Sequence, residues 1–193
     1  MTKRLMGVTL TLAALTIAGV SAQRSGQTPA PAAPAASAAP TLVLETAKGN
    51  IEIELYTKDA PKSIDHIMTL VHRDFYRGLR FHWVQPGVIQ FGDPTTRDLS
   101  KQSSWGEGGS GTRVGVAEPS KRPWDAASVG IAYRPGQTPT DADSQMFILL
   151  GPNPALSGKY TQIGHVTKGM DVARKIEIAD VIKKLYVKGE EPK

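Results

Sequence analysis

Gln145-Met146-Phe147-Ile148, read with Leu79-Arg80-Phe81-His82-Trp83-Val84 about sixty positions earlier, decides the fold. Gln145 to Leu150 is a short apolar run bounded by polar turn residues, the pattern of a buried strand. In the earlier stretch Phe81 and Trp83 fall on one side of an extended chain, and Arg80, His82 and Val84 on the other. Pro86-Gly87 turns the chain and Val88 to Phe91 returns, which makes a hairpin.

Working outward, the same alternation recurs. Thr41 to Thr46 carries Leu42 and Leu44 on one face, Lys48-Gly49-Asn50 turns, and Ile51, Ile53 and Leu55 alternate with Glu52, Glu54 and Tyr56. This is an antiparallel hairpin with one face buried. Pro61 opens a helix at its first position, and Ile64, Ile67, Met68 and Val71 give it one apolar stripe. Residues 93–127 are rich in Gly, Ser and Pro and read as irregular. Ser128 to Tyr133, Gln162 to Val166 and Val181 to Val187 are further strands, and Gly169 to Ile176 is a short helix with Met170, Val172 and Ile176 inward. Seven or eight short strands with two helices at separate points suggest a mainly β fold class, a closed or nearly closed antiparallel barrel capped by two helices.

The chain has 193 residues, 40% of them hydrophobic, which suits one domain with a real core. It has no cysteine, which excludes disulfides, thiol catalysis and thiolate metal sites. Lys3 and Arg4, the apolar run Leu5 to Val20 and the small residues Val20-Ser21-Ala22 form an export signal over 1–22. Residues 23–40, with Pro29, Pro31, Pro34 and Pro40, are an Ala/Pro-rich linker. The domain spans 41–187 and a charged tail 188–193. The location expected is exported, periplasmic or secreted, with membrane attachment only if the signal stays uncleaved. The net charge of +5 falls near +3 without Lys3 and Arg4, and no basic run is clustered. Nucleic acid is not an expected partner. His66, His72, His82 and His165 lack ligand spacing, so neither metal nor cofactor is expected. Trp105 to Gly111 is glycine-rich but lacks the ending of a phosphate loop, and reads as a flexible loop.

Six blocks carry a family resemblance. They are Ile53-Glu54-Leu55-Tyr56 with Ala60-Pro61-Lys62-Ser63; Phe75 to His82; Pro86-Gly87 with Ile89-Gln90 and Gly92-Asp93-Pro94; Ser144 to Ile148; Leu156 to Tyr160; and Gly164-His165-Val166 with Gly169 to Val172. In this order the chain resembles the cyclophilin-type peptidyl-prolyl cis-trans isomerases. The resemblance implies a mainly β fold, a closed eight-stranded antiparallel barrel capped by two helices, one at each end, and proline-containing polypeptides as partners. A monomer is expected. It implies Phe147 as the floor of a proline pocket, Leu156 as its wall, Gln145 and Gln90 as holders of the substrate backbone, and Ala132 beside the residue that precedes proline.

The departures from the family pattern are specific. Trp83 stands at the catalytic arginine. Val88 alone stands for a Phe-Met pair. Tyr133 occupies an asparagine position and Tyr160 a histidine position. Ala155 replaces a rim aromatic, which implies weak cyclosporin binding; a submicromolar Kd in a titration would contradict this. Arg80 is expected to point away from Trp83, and Arg134 is the better replacement cation. The function expected is isomerisation of X-Pro bonds in exported proteins, weakened by Trp83. The alternative is a non-catalytic proline-peptide binding or chaperone-like module on the same fold.

Overall fold

A computed structural model describes residues 39–191. The expected export signal, most of the linker and the end of the tail lie outside the described residues. The strands are β1 (Thr41–Thr46), β2 (Gly49–Leu55), β3 (Trp83–Gln85), β4 (Val88–Phe91), β5 (Ser128–Ile131), β6 (Met146–Leu149), β7 (Gln162–Lys168) and β8 (Ile182–Val187). The α-helices are α1 (Pro61–His72) and α2 (Met170–Ala173). Every strand pair is antiparallel, in the order β3-β4-β6-β5-β7-β2-β1-β8.

The expected closed barrel needs correcting. The sheet curls into a half-barrel whose edge strands are β3 and β8. No continuous ladder joins them. Residues just before β3 meet the start of β8 and the residues leading into it through one bridge, Arg80 with Val181, and through the backbone bonds Gly78 N to Ile182 O and Phe81 N to Asp180 O. At His82 the backbone changes partner, and its N–H donates to Gln90 O of β4 instead. That switch breaks the alternation expected across residues 80–84. Phe81 is fully buried, whereas Trp83 is 53% exposed.

Local chemistry accounts for the elements. Gly49, the first residue of β2, sits at φ +131, and an added Cβ there would lie 2.9 Å from Val172. Pro61 is at the start of α1, and Ser63, Ile64, Ile67, Leu70 and Val71 are its buried residues. Two of its free N–H groups, on Lys62 and Ser63, donate to the Glu118 carboxylate at 3.1 and 2.9 Å. An acidic side chain from far along the chain thus satisfies the helix start. α2 is shorter than expected because Lys175 N turns back to Val172 O and Ile176 N to Ala173 O. Among the described residues, no helix is long and apolar enough to cross a membrane.

Strand periodicity divides the apolar residues into two clusters. Met146 and Ile148 of β6 join the main core with Ile89, Phe91, Val129 and Ile131. Phe147 and Leu149 face the other way and join Trp124 and Ala132. All four residues of β6 are buried, so both faces of this strand are covered. The second cluster is where the candidate site lies.

Candidate active site

One row of residues runs across the sheet. Trp83 pairs with Gln90, Gln90 with Phe147, and Phe147 with Gly130. Directly opposed residues share a face, so three strands present Trp83, Gln90 and Phe147 side by side. Gly130 leaves room for the row. A Cβ there would lie 2.4 Å from the Phe147 ring and 2.8 Å from Trp124.

Phe147 is 5% exposed and stacks on Trp124, with centroids 5.6 Å apart and planes 21° apart. Val88, Leu156 and Tyr160 pack against the same cluster. Tyr160 meets Phe147 nearly at right angles at 5.6 Å and stacks on Tyr133 at 4.6 Å. The structure therefore brings Phe147, Ala132, Val88, Leu156, Tyr160 and Tyr133 together. Phe147 itself does not line the open groove beside them. That groove, of about 770 Å³, is bordered by Trp83, Gln90, Trp105, Tyr133, Arg134, Gln145 and Tyr160, among others.

Gln145 is used within the protein. Its Nε2 donates to Gly106 O and Gly108 O, both at 2.8 Å, and its Oε1 accepts from Gln90 Nε2 at 2.8 Å. Both of its amide hydrogens are thus committed, while Gln90 keeps its carbonyl and one amide hydrogen for a ligand. The glycine-rich loop is held from a second side by Asp93, which is fully buried. Its carboxylate accepts from Thr95 N and Oγ1 at 2.7 and 2.8 Å, and from the N–H groups of Gly106 and Gly108. Asp143 takes the far end of the loop through Ser110 Oγ and Gly111 N. The expectation of a loose loop is corrected: side chains tie residues 106–111 at three points.

The electrostatics of the groove follow from burial. Both ring nitrogens of His82 are buried and neither makes a hydrogen bond of good geometry; burial pushes its pKa below the ordinary value, although Asp93, the Gln145 side chain and the Arg80 backbone all act to raise it. His82 is therefore neutral at pH 7. Burial alone would raise the Asp143 pKa, yet hydrogen bonds from His66, Ser110 and Gly111 outweigh it and hold the carboxyl below its usual range. Arg80 turns away from the groove and donates Nη1 to Ala179 O at 2.9 Å. Arg134 borders the groove and donates to Glu107 O. No cluster of three or more potential metal ligands occurs among the described residues.

Two aromatic residues, one beneath the pocket and one on the groove, were missed in the sequence. Trp124 lies under Phe147, and Trp105 borders the opening. Each is a bulky aromatic inside a Gly/Ser/Pro-rich stretch, and that was the available signal.

The sequence profile described as "Cyclophilin type peptidyl-prolyl cis-trans isomerase/CLD" matches residues 41–190. The chain belongs to this family. By that membership this cyclophilin is an isomerase of peptidyl-prolyl bonds. It is 38% identical over 141 residues to a Brucella suis protein named "Probable peptidyl-prolyl cis-trans isomerase", covering 71% of each chain. It is 36% identical over 134 residues to a peptidyl-prolyl cis-trans isomerase of Schizosaccharomyces pombe, covering 69% of this chain and 82% of that one. In fold it is similar to a cyclophilin-type isomerase of Cryptosporidium parvum, with a TM-score of 0.67 at 22% identity, over 77% of this chain and 96% of that one. That protein has also been crystallised in the presence of the dipeptide Ala-Pro.

Proposed function

We propose that this cyclophilin isomerises X-Pro bonds of exported polypeptides, with turnover weakened by Trp83. Rotation of such a bond loses amide resonance, which for a peptide bond is a barrier of about 18–20 kcal/mol. No covalent step is needed, only tighter binding of the twisted amide than of either planar form. The observation that carries the reading is the row Trp83, Gln90, Phe147 beside the apolar cluster. Phe147, Leu156 and Val88 supply apolar surface for the pyrrolidine ring. Gln90 supplies an acceptor and a free N–H for the substrate backbone, with Gln145 holding it in place. Ala132 leaves space for the residue before proline. Proline-containing peptides are the ligand class, and the Cryptosporidium structure obtained with Ala-Pro supports that choice.

Trp83 accounts for the weakening. An indole carries one donor and no charge, so it cannot offer a cationic fork to the twisted amide. Loss of a transition-state donor in other enzymes costs on the order of 10²–10³ in rate. Arg134, at the rim, is the cation placed to replace part of that loss. A second reading has its own support in the same residue: Trp83 can pack on proline without rotating it, which makes a binding module.

Line-broadening and exchange NMR on a short Ala-Pro peptide separates the two. Acceleration of cis/trans exchange above the uncatalysed rate supports the isomerase, and binding without acceleration supports the module. Export is tested by N-terminal sequencing of the protein recovered from its native host. A start at Gln23 supports a cleaved signal, and an intact Met1 counts against it.

A further inference from the structure

Phe147 has Trp124 stacked on it, and Tyr160 stands nearly at right angles to it, 86° between planes. Tyr160 is in turn stacked on Tyr133, 22° from parallel. The backbone under this pair is held. Ser120 N donates to Tyr160 O at 3.2 Å, and Ala132 N to Gln145 O at 2.8 Å. The Tyr133 hydroxyl donates to Lys159 O at 3.3 Å. Both rings are only partly buried, so the free motion left to Tyr160 is rotation of its side chain.

We infer that Tyr160, braced by Tyr133, is a specificity-determining residue: a proline ring reaches Phe147 only after the Tyr160 ring swings off it. The inference rests on the isomerase reading of the groove. Swinging the ring gives up two aromatic contacts, each roughly a 2- to 12-fold factor in an equilibrium constant. A ligand that binds only the open form shows an affinity reduced by the open fraction. A peptide with an aromatic residue before proline regains stacking on the vacated Tyr133 face, whereas Ala-Pro does not. The substrate class selected is therefore aromatic-Pro.

The test is steady-state exchange kinetics on two peptides that differ only in Ala-Pro against Phe-Pro. The proteins are wild type, Tyr160→Ala, Tyr160→Phe and Tyr133→Ala. Wild type is expected to show the lower KM for Phe-Pro. Tyr160→Ala removes both contacts and should lower KM for Ala-Pro and Phe-Pro alike, by roughly 4- to 140-fold and more than it changes kcat, with the Phe-Pro preference kept because Tyr133 remains. Tyr160→Phe keeps the ring and so keeps the high KM. Tyr133→Ala removes one of the two contacts, so it should lower KM for Ala-Pro by a smaller factor and abolish the Phe-Pro preference, and it carries the test if Tyr160→Ala does not fold. Catalysis by wild type with KM unchanged or raised in both alanine variants overturns the inference and leaves the isomerase reading standing. Failure of wild type to bind or accelerate either peptide removes both.

Discussion

Trp83 is more than half exposed although indole is among the largest apolar side chains. Its removal therefore costs little packing, and Trp83→Arg should change unfolding free energy by no more than about 0.5 kcal/mol. Gly130 is the opposite case. Its Cα faces the Phe147 and Trp124 rings so closely that any Cβ would overlap them. Gly130→Ala is expected to destabilise the fold by about 1–3 kcal/mol through overpacking. It should also displace Phe147 and so weaken peptide binding. Urea unfolding with a parallel peptide titration checks both; a stable variant with unchanged affinity would show that the row has slack the geometry does not reveal.

At the scale of elements, the loop 106–111 is shaped by side chains from elsewhere. Asp93→Ala would leave the N–H groups of Gly106, Gly108 and Thr95 without their acceptor. The expected loss is about 3 kcal/mol in unfolding free energy, with faster amide exchange at Gly106 and Gly108. Unchanged protection at those two amides would contradict the anchoring. Regular strands were legible in the sequence because one buried face imposes a period of two, as in Ile51, Ile53 and Leu55. The Gly/Pro/Ser-rich loop was not, since bonds from Asp93, Asp143 and Gln145 leave no periodic mark. Nor was the break after Phe81, where the backbone leaves Asp180 for Gln90. Alternation placed Phe81 and Trp83 on one face, but the change of partner buries the first and exposes the second. The apolar cluster around Phe147 was legible from the family resemblance, whereas its covering by Tyr160 and its support by Trp124 were not.

For the whole molecule, eight strands curl around one main core, with a second cluster on the outer side of β6. Alternation gave seven or eight strands and the order of elements, and the family resemblance implied eight. The open seam between β3 and β8 was not, because it depends on pairing geometry at both ends of the sheet. Stability should respond to acid in two stages. His82 has a folded pKa below its unfolded value of about 6.5, so the unfolded chain takes up that proton first and stability falls as pH drops below about 6.5. Asp143 is also depressed, so its stabilisation is complete above about pH 4 and is lost as pH falls toward its lower folded value. Urea midpoints at pH 8, 6 and 5 should decline for wild type and flatten for His82→Gln. Identical midpoints from pH 8 to 5 in wild type would contradict a buried neutral imidazole.

The central claim is that the groove around Trp83, Gln90 and Phe147 catalyses proline rotation with its main cationic donor replaced by indole. The measurement that tests it most directly is cis/trans exchange of an X-Pro peptide by NMR, for wild type and Trp83→Arg in parallel. The account predicts measurable acceleration by wild type and a rise of about tenfold or more for Trp83→Arg, with little change in peptide affinity. Equal activity in the two proteins would mean that position 83 does not face the reacting amide, and would contradict it.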